Sequence, residues 1–377
     1  MARLPMIKKG LQGVIPLACR SFLRLDGAEA GKFLQGLTTN DVTRLGGGKG
    51  GMYTAFLTPQ GRMLHECFMY SGQEGMSYVL ECEAQSRTRL LLHLQTYNLR
   101  GRCRVSAEES LVVVAVGGAL AEGSWTERYG AVWECWDGRA GPGWGLKRVV
   151  FRADDWTRLL GRQQSEWPVL PEGRYHRARW EQGVAEGAYE VPARQAIPHE
   201  YNLDIMGGVD FQKGCYLGQE LVHRTHMRGV VRKRVLPVEF VGVGTETEIG
   251  HLHEQACEFW PAQLDATDGS LQITSMAGKD ALGRLIVCEK GLGLGLLRLE
   301  GMRGLGAGRV GHACMAVLDW QGGSYVRARA VVPAWWPVAA VFKDVGLPVD
   351  VPVDVPVDVP VDVSVDVPVD VPVDRKS

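Results

Sequence analysis

Apolar and polar positions change period several times along this chain, and the changes divide it into elements. Ser21 to Leu25 reads as a strand that stops at the turn pair Asp26-Gly27. Ala28 to Leu37 then places Phe33, Leu34 and Leu37 on one helical face, and Thr38-Thr39-Asn40-Asp41 closes it. Met52 to Leu57 and Arg62 to Tyr70 are apolar, aromatic-rich runs on either side of Thr58-Pro59-Gln60-Gly61. Proline presets φ at the second position of a turn and glycine suits its end, so this stretch predicts a β-hairpin. Ser77 to Cys82 predicts a further strand. Between Ala84 and Leu99, Leu90, Leu91 and Leu94 recur at helical spacing while Arg87 and Arg89 face water. Leu111 to Val116 is an unbroken apolar run and predicts a buried strand. Residues 117–146 are rich in glycine and tryptophan and show no clear period. Asp154 to Gly161 opens with acids and predicts a helix, as does Tyr175 to Gly183. Gly187 to His199 contains Pro192 and Pro198 and predicts loop. Leu217 to His226 returns to helical spacing.

After Gly229 the pattern changes again. Val230 to Val241 alternates apolar with charged residues, as a half-buried strand does. Short strands with glycine-rich breaks follow at Leu271 to Thr274, Leu285 to Cys288, Leu292 to Leu299, Ala313 to Leu318 and Tyr325 to Val332. The chain therefore predicts an α+β domain over 14–228 and a small all-β barrel over 229–342. From Leu347 a tail repeats Val-Pro-Val-Asp with small variations. Proline every fourth residue forbids helix and central strand, and evenly spaced aspartates repel, so 343–377 predicts a disordered segment.

Composition narrows the function classes. A net charge of −1 over 377 residues gives no electrostatic case for nucleic acid. No apolar run reaches the ~18–20 residues of a membrane span. The nine cysteines are irregularly spaced, with no Cys-x-x-Cys, so neither a zinc ribbon nor a redox pair is indicated. Scattered thiols suit a reducing compartment. Residues 1–25 carry Arg3, Lys8, Lys9, Arg20 and Arg24 and no acid, and residues 1–20 read as a mitochondrial presequence.

The densest chemistry lies in Phe211-Gln212-Lys213-Gly214-Cys215-Tyr216-Leu217-Gly218-Gln219-Glu220. A single thiol stands beside flexible glycines. Placed at a helix N-terminus with the Lys213 ammonium near it, Cys215 would favour the thiolate, the form that attacks and that binds metal. The competing reading is a small buried hydrophobe. His223 and His226 follow one helical turn apart, but their spacing from Cys215 matches no standard zinc pattern. Gly46 to Gly51 lacks the Gly-Lys-Ser/Thr ending of a phosphate loop and reads as a flexible loop.

Lys213-Gly214-Cys215-Tyr216-x-Gly218-Gln219-Glu220 resembles the signature of the YgfZ-type family, folate-binding relatives of the glycine-cleavage aminomethyltransferase. Glu200 to Asp204, Gly207 to Phe211 and Arg224 to His226 look like its mitochondrial branch, and the resemblance spans about 14–342. It implies an aminomethyltransferase-like fold followed by a β-barrel. It also implies an accessory factor of iron–sulfur cluster assembly in the mitochondrial matrix, acting late with A-type cluster carriers to mature 4Fe–4S proteins. Cys215 would then be either a cluster ligand shared with a partner or a redox thiol. Arg179-Trp180-Glu181-Gln182-Gly183 resembles the Arg-x-Glu-x-Gly turn that binds the pterin in the transferases, which implies tetrahydrofolate contact by Glu181 and Arg179. The alternative is a tetrahydrofolate-dependent one-carbon transferase. In the transferases the strand after the hairpin turn carries two aspartates facing the reacting carbon. Here His65 and Glu66 stand in those places, which counts against that chemistry.

Overall fold

The computed structural model describes residues 11–45, 50–72, 76–162, 167–244, 272–275, 281–302, 315–320, 324–337 and 341. The repeat tail, residues 1–10 and most of the glycine loop at 46–51 lie outside the described residues. Gly13–Pro16, inside the stretch read as presequence, already forms a strand whose Val14 and Ile15 are fully buried.

Two antiparallel sheets build the first domain. One has four strands in the order β1 (Gly13–Pro16), β7 (Leu111–Gly117), β9 (Leu146–Arg152) and β8 (Trp133–Trp136). The other has five: β3 (Gly51–Leu57), β4 (Met63–Ser71), β5 (Ser77–Glu83), β2 (Arg20–Asp26) and β6 (Arg104–Glu108). β7 reads as an unbroken apolar run because it is an interior strand covered on both faces.

Alternation along the strands sorts side chains into layers. Leu23, Leu25, Phe56, Cys67, Met69 and Leu80 face α1 (Ala30–Gln35) and α2 (Arg87–Tyr97), through Phe33, Leu34, Leu90 and Leu94. On the far side, Val114, Val116, Val149 and Phe151 pack against Trp125, Trp156 and Trp167. These tryptophans come from α3 (Trp125–Tyr129), α4 (Ala153–Arg162) and the segment after it. The inner faces of the sheets meet around Ile15, Phe22, Phe68, Tyr70, Val79, Val113 and Val150. The order is helix, sheet, sheet, helix. Residues 117–146 show no period because they fold into pieces of three to five residues, among them α3 and β8.

α5 (Gly173–Glu181) covers one end of the inter-sheet core, and α6 (Gly187–Glu190) is a single turn where the prolines predict loop. That turn closes on a 2.8 Å bond from Val191 N to Gly187 O and ends before Pro192. α7 (Gln219–Arg228) follows the cysteine loop.

The second unit is a closed barrel in the order β10 (Lys233–Gly244), β13 (Leu292–Arg298), β12 (Ala281–Glu289), β11 (Gln272–Ser275), β14 (Met315–Trp320) and β15 (Ser324–Ala330). Closure removes the exposed strand edges that an open sheet would present. Residues from the 200–204 run fasten it to the first domain. Arg234 of β10 makes a two-pronged ion pair with Asp204 at 2.9 and 2.8 Å. Asn202, held at φ 63°, donates to Val235 O at 2.7 Å.

Candidate functional site

Cys215 is exposed and lies in a loop four residues ahead of α7, which starts at Gln219. The sequence places it at the helix N-terminus; the structure does not. Gly218 separates the two by taking φ 81°. A Cβ there would run into Thr58 O and come within 2.9 Å of Leu57 Cβ, so only glycine lets the loop reach the β3–β4 turn. Gly61 answers from that turn at φ 78°, its own Cβ position 2.8 Å from Gly218 O. Gly214 is different: a Cβ there meets nothing within 4 Å, so the space beside the thiol is open.

Both flanks of Cys215 are pinned to the end of α1. Helix ends leave carbonyls without partners. Lys213 Nζ donates to the last of them, Gln35 O at 2.9 Å, and to Thr38 O at 2.7 Å and Asn40 O at 2.9 Å in the turn that follows. Leu217 N donates to Gly36 O at 3.0 Å. Burial pushes the Lys213 ammonium down to about 8, against the Asp41 and Asp210 carboxylates that favour its charge. Its three donors are all committed, so Lys213 clamps the loop and does not attend the thiol. Upstream, Asp210 Oδ1 accepts from Gln212 N at 2.7 Å and Lys213 N at 3.1 Å. Downstream, Gln219 Oε1 accepts from Tyr216 N at 3.1 Å, while Glu220 is exposed at the helix start. Tyr216 is buried and its ring lies 5.0 Å from Lys213 Nζ.

His223 and His226 pack on Phe211, His226 stacked at 3.6 Å and His223 edge-on at 6.0 Å. Among the described residues they do not gather with Cys215 into a metal-ligand group. In this loop the soft ligand atom open to an incoming group is the Cys215 sulfur.

The pair read as a folate contact is split. Glu181 is half-exposed and pairs with Arg177 at 3.4 Å. Arg179 points inward, 1% exposed, and grips Glu190 through Nη1 at 2.9 Å and Nη2 at 3.1 Å. It belongs to a charge network between the two sheets that no local pattern in the sequence signals. Arg20 donates to Glu66 at 2.7 Å and Glu81 at 2.9 Å. Arg148 also bonds Glu81, and donates to Tyr175 Oη at 2.7 Å. Arg139 holds Asp137 at 2.9 and 2.7 Å and Glu186 at 2.7 Å. Tyr175 donates to Glu186 at 2.6 Å. Burial alone would raise the Glu81 carboxyl, but Arg148 and Arg20 overcome it and hold the group below the usual range. Glu186 is likewise held well below that range, burial being outweighed by Arg20, Arg139 and Arg179.

These residues do not fit a folate site. A pterin needs a buried carboxylate with unused lone pairs to accept its paired N–H groups. Glu181 faces outward, and Glu190 is filled by Arg179, Trp180 Nε1 at 2.9 Å and Glu186 N at 2.8 Å. A crevice beside His65 and Glu66 is no better. Glu66 serves Arg20, and Glu83 accepts from Ala188 N at 3.0 Å and Ser86 Oγ at 2.5 Å. His65 itself is pushed down to about 4, by burial and then by His93 and Arg89.

Comparison with known proteins adds three findings. Residues 232–338 match the family model described as CAF17, C-terminal beta-barrel domain. The chain is similar to the mitochondrial iron–sulfur cluster assembly factor IBA57 of Homo sapiens, 33% identical over 85% of this chain and 84% of that protein. It is similar to the Mus musculus protein of that name, 32% identical over 85% and 84%, and to the Chaetomium globosum homologue, 31% identical over 88% and 85%. Among solved structures it resembles the glycine cleavage system aminomethyltransferase T of Bartonella henselae, with a TM-score of 0.61, 12% identity and 86% of each chain covered. At that identity the likeness establishes the fold: an aminomethyltransferase-like domain with a C-terminal β-barrel.

Proposed function

Because the chain belongs to the family of mitochondrial iron–sulfur cluster assembly factors named IBA57, we propose that it works as such a factor, in the mitochondrial matrix, late in the maturation of 4Fe–4S proteins and together with A-type cluster carriers. One observation carries the reading at the level of residues. Cys215 stands exposed at the crest of a loop whose two flanks, Lys213 and Leu217, are bonded to the end of α1. A thiol held this way keeps its position without being enclosed. It can ligate a cluster whose remaining ligands come from another protein, or it can exchange electrons with one. Open space beside Gly214 leaves room for the partner's approach. The cluster is cargo in this reading, passed through a shared site and not caged by cysteines of this chain alone.

One-carbon transfer on folate is the weaker reading. Glu66, standing where the transferases carry an aspartate, is bound to Arg20 at 2.7 Å and has no freedom to act as a base. No step is assigned to folate. The test is anaerobic co-purification of the chain with an A-type carrier, followed by absorption spectroscopy. The account expects a complex whose cluster absorption depends on Cys215. A complex with equal absorption after Cys215→Ser, or no complex at all, would overturn it.

A further inference from the structure

A second thiol, Cys19, has neighbours different from those of Cys215. Cys19 sits in the turn between β1 and β2. Glu172 immediately precedes α5, and His176 is four residues further on, so helical spacing brings the two to one face. One ligand atom from each of the three lies within 4.8 Å of the others. All three residues are half-buried, placed where an ion and a water can still enter.

The local bonds organise the group before any ion arrives. Glu172 Oε1 accepts from Cys19 N at 3.0 Å and fixes the turn against the helix start. The His176 ring stacks on Trp180, centroids 6.3 Å apart and planes 21° from parallel. Burial, and after it the Glu186 and Glu172 carboxylates, push the Cys19 thiol up, so it is a poor nucleophile on its own. The neighbouring Arg20 guanidinium pulls the other way without reversing this. A bound divalent ion does reverse it, since it takes the sulfur as thiolate.

We propose that Cys19, Glu172 and His176 form a binding site for one divalent transition-metal ion of the zinc or ferrous type. Sulfur, imidazole nitrogen and carboxylate oxygen together favour such ions over calcium and magnesium, which take oxygen ligands. Metal–sulfur bonds of about 2.3 Å and metal–nitrogen or metal–oxygen bonds of about 2.0–2.2 Å set how closely the three ligand atoms, all within 4.8 Å of one another, must approach a common ion. Binding forms a metal–sulfur bond and sends the thiol proton to solvent. It also exchanges one hydrogen bond. Arg179 Nη2 donates to His176 Nδ1 at 2.8 Å. If the ion takes Nδ1, that lone pair is used; if it takes Nε2, Nδ1 becomes the protonated nitrogen. Either way Arg179 releases His176 and keeps Glu190. Occupancy of this site is thereby linked to the charge network between the sheets. The site shares no residue with the cysteine loop and stands whether or not Cys215 binds a cluster.

The test uses the full chain carrying Cys215→Ser, so that the exposed thiol does not contribute, stripped of metal and titrated with cobalt(II). One cobalt per chain is expected, with a thiolate-to-cobalt charge-transfer band. Adding Cys19→Ser should abolish the band. Glu172→Gln, which keeps an acceptor for Cys19 N, and His176→Ala should each weaken binding at least tenfold, with circular dichroism of the metal-free chain unchanged. Zinc should displace the cobalt, and anaerobic ferrous iron should compete less well, following the usual affinity order. A band that survives Cys19→Ser, the absence of any band, or displacement by magnesium would overturn the proposal. If Cys19→Ser fails to fold, unchanged binding in Glu172→Gln and His176→Ala overturns it equally.

Discussion

At the scale of single residues, Lys213 shows how a motif can be recognised and its chemistry misassigned. Its position two residues before a cysteine reads as electrostatic support for a thiolate. Its ammonium is instead bonded to Gln35 O, Thr38 O and Asn40 O, at the end of α1 and in the turn after it. Lys213→Met should therefore destabilise the fold by about 2–4 kcal/mol, since it removes three charge-assisted hydrogen bonds to backbone carbonyls. Urea unfolding measures this, and a variant as stable as its parent would contradict the clamp. Glu181 teaches the same lesson in reverse. Its motif was legible, but whether it faces inward depends on helix phase at the last turn of α5, and there it pairs with Arg177 in solvent. Cys215 was legible as the thiol of the signature motif. Its exposure was not, because it results from Gly218 and the β3–β4 turn meeting.

At the scale of elements, the legible parts were those whose cause is local. The hairpin at Thr58 to Gly61 follows from its turn residues, and Gly61 N closes on Thr58 O at 2.9 Å. α2, α4, α5 and α7 appear where apolar spacing or acidic starts place them. β7 appears as an apolar run because both its faces are covered. The network between the sheets was illegible because it is built from distant pairs: Arg20 and Glu81 are 61 residues apart, and Glu81 and Arg148 are 67 apart. Four strands, β2, β4, β5 and β9, each contribute one charged residue, Arg20, Glu66, Glu81 and Arg148, which in isolation reads as an ordinary alternation. Removing one member leaves buried charge under-compensated. Glu81→Gln should cost about 3–5 kcal/mol, because Arg20 and Arg148 each lose one buried charged partner and keep only Glu66, Asp137 and Glu186 between them. A loss under about 1 kcal/mol in denaturant titration would show that the network is already hydrated.

At the scale of the whole molecule, acid should be the condition this fold tolerates least. His65 titrates near 4 in the fold against an ordinary 6.5, because burial and the nearby positive charges disfavour its charged form. His93, His176 and His199 are lowered too, each chiefly by burial. Below pH 6.5, and down to about 4 for His65, the unfolded chain binds the protons these rings refuse, so their contribution is complete above 6.5 and lost as pH falls. Glu81 and Glu186, depressed by their arginines, lose theirs at lower pH still, below the ordinary 4.5. Both effects have one sign. The urea midpoint should fall steadily from pH 7 to pH 4, and a flat profile would contradict the burial assigned to these rings. Against that background of a fold held by paired charges, the functional claim rests on one exposed sulfur. Serine at position 215 is nearly isosteric and exposed, so little packing changes, but its hydroxyl is a poor ligand for a soft metal. The most direct measurement is 4Fe–4S enzyme activity, aconitase for example, in cells whose own factor is replaced by Cys215→Ser. The account predicts a variant that accumulates normally and melts within a few degrees of the parent while the enzyme activity is lost. Normal enzyme activity with Cys215→Ser would contradict it and move the function of the signature to its backbone shape.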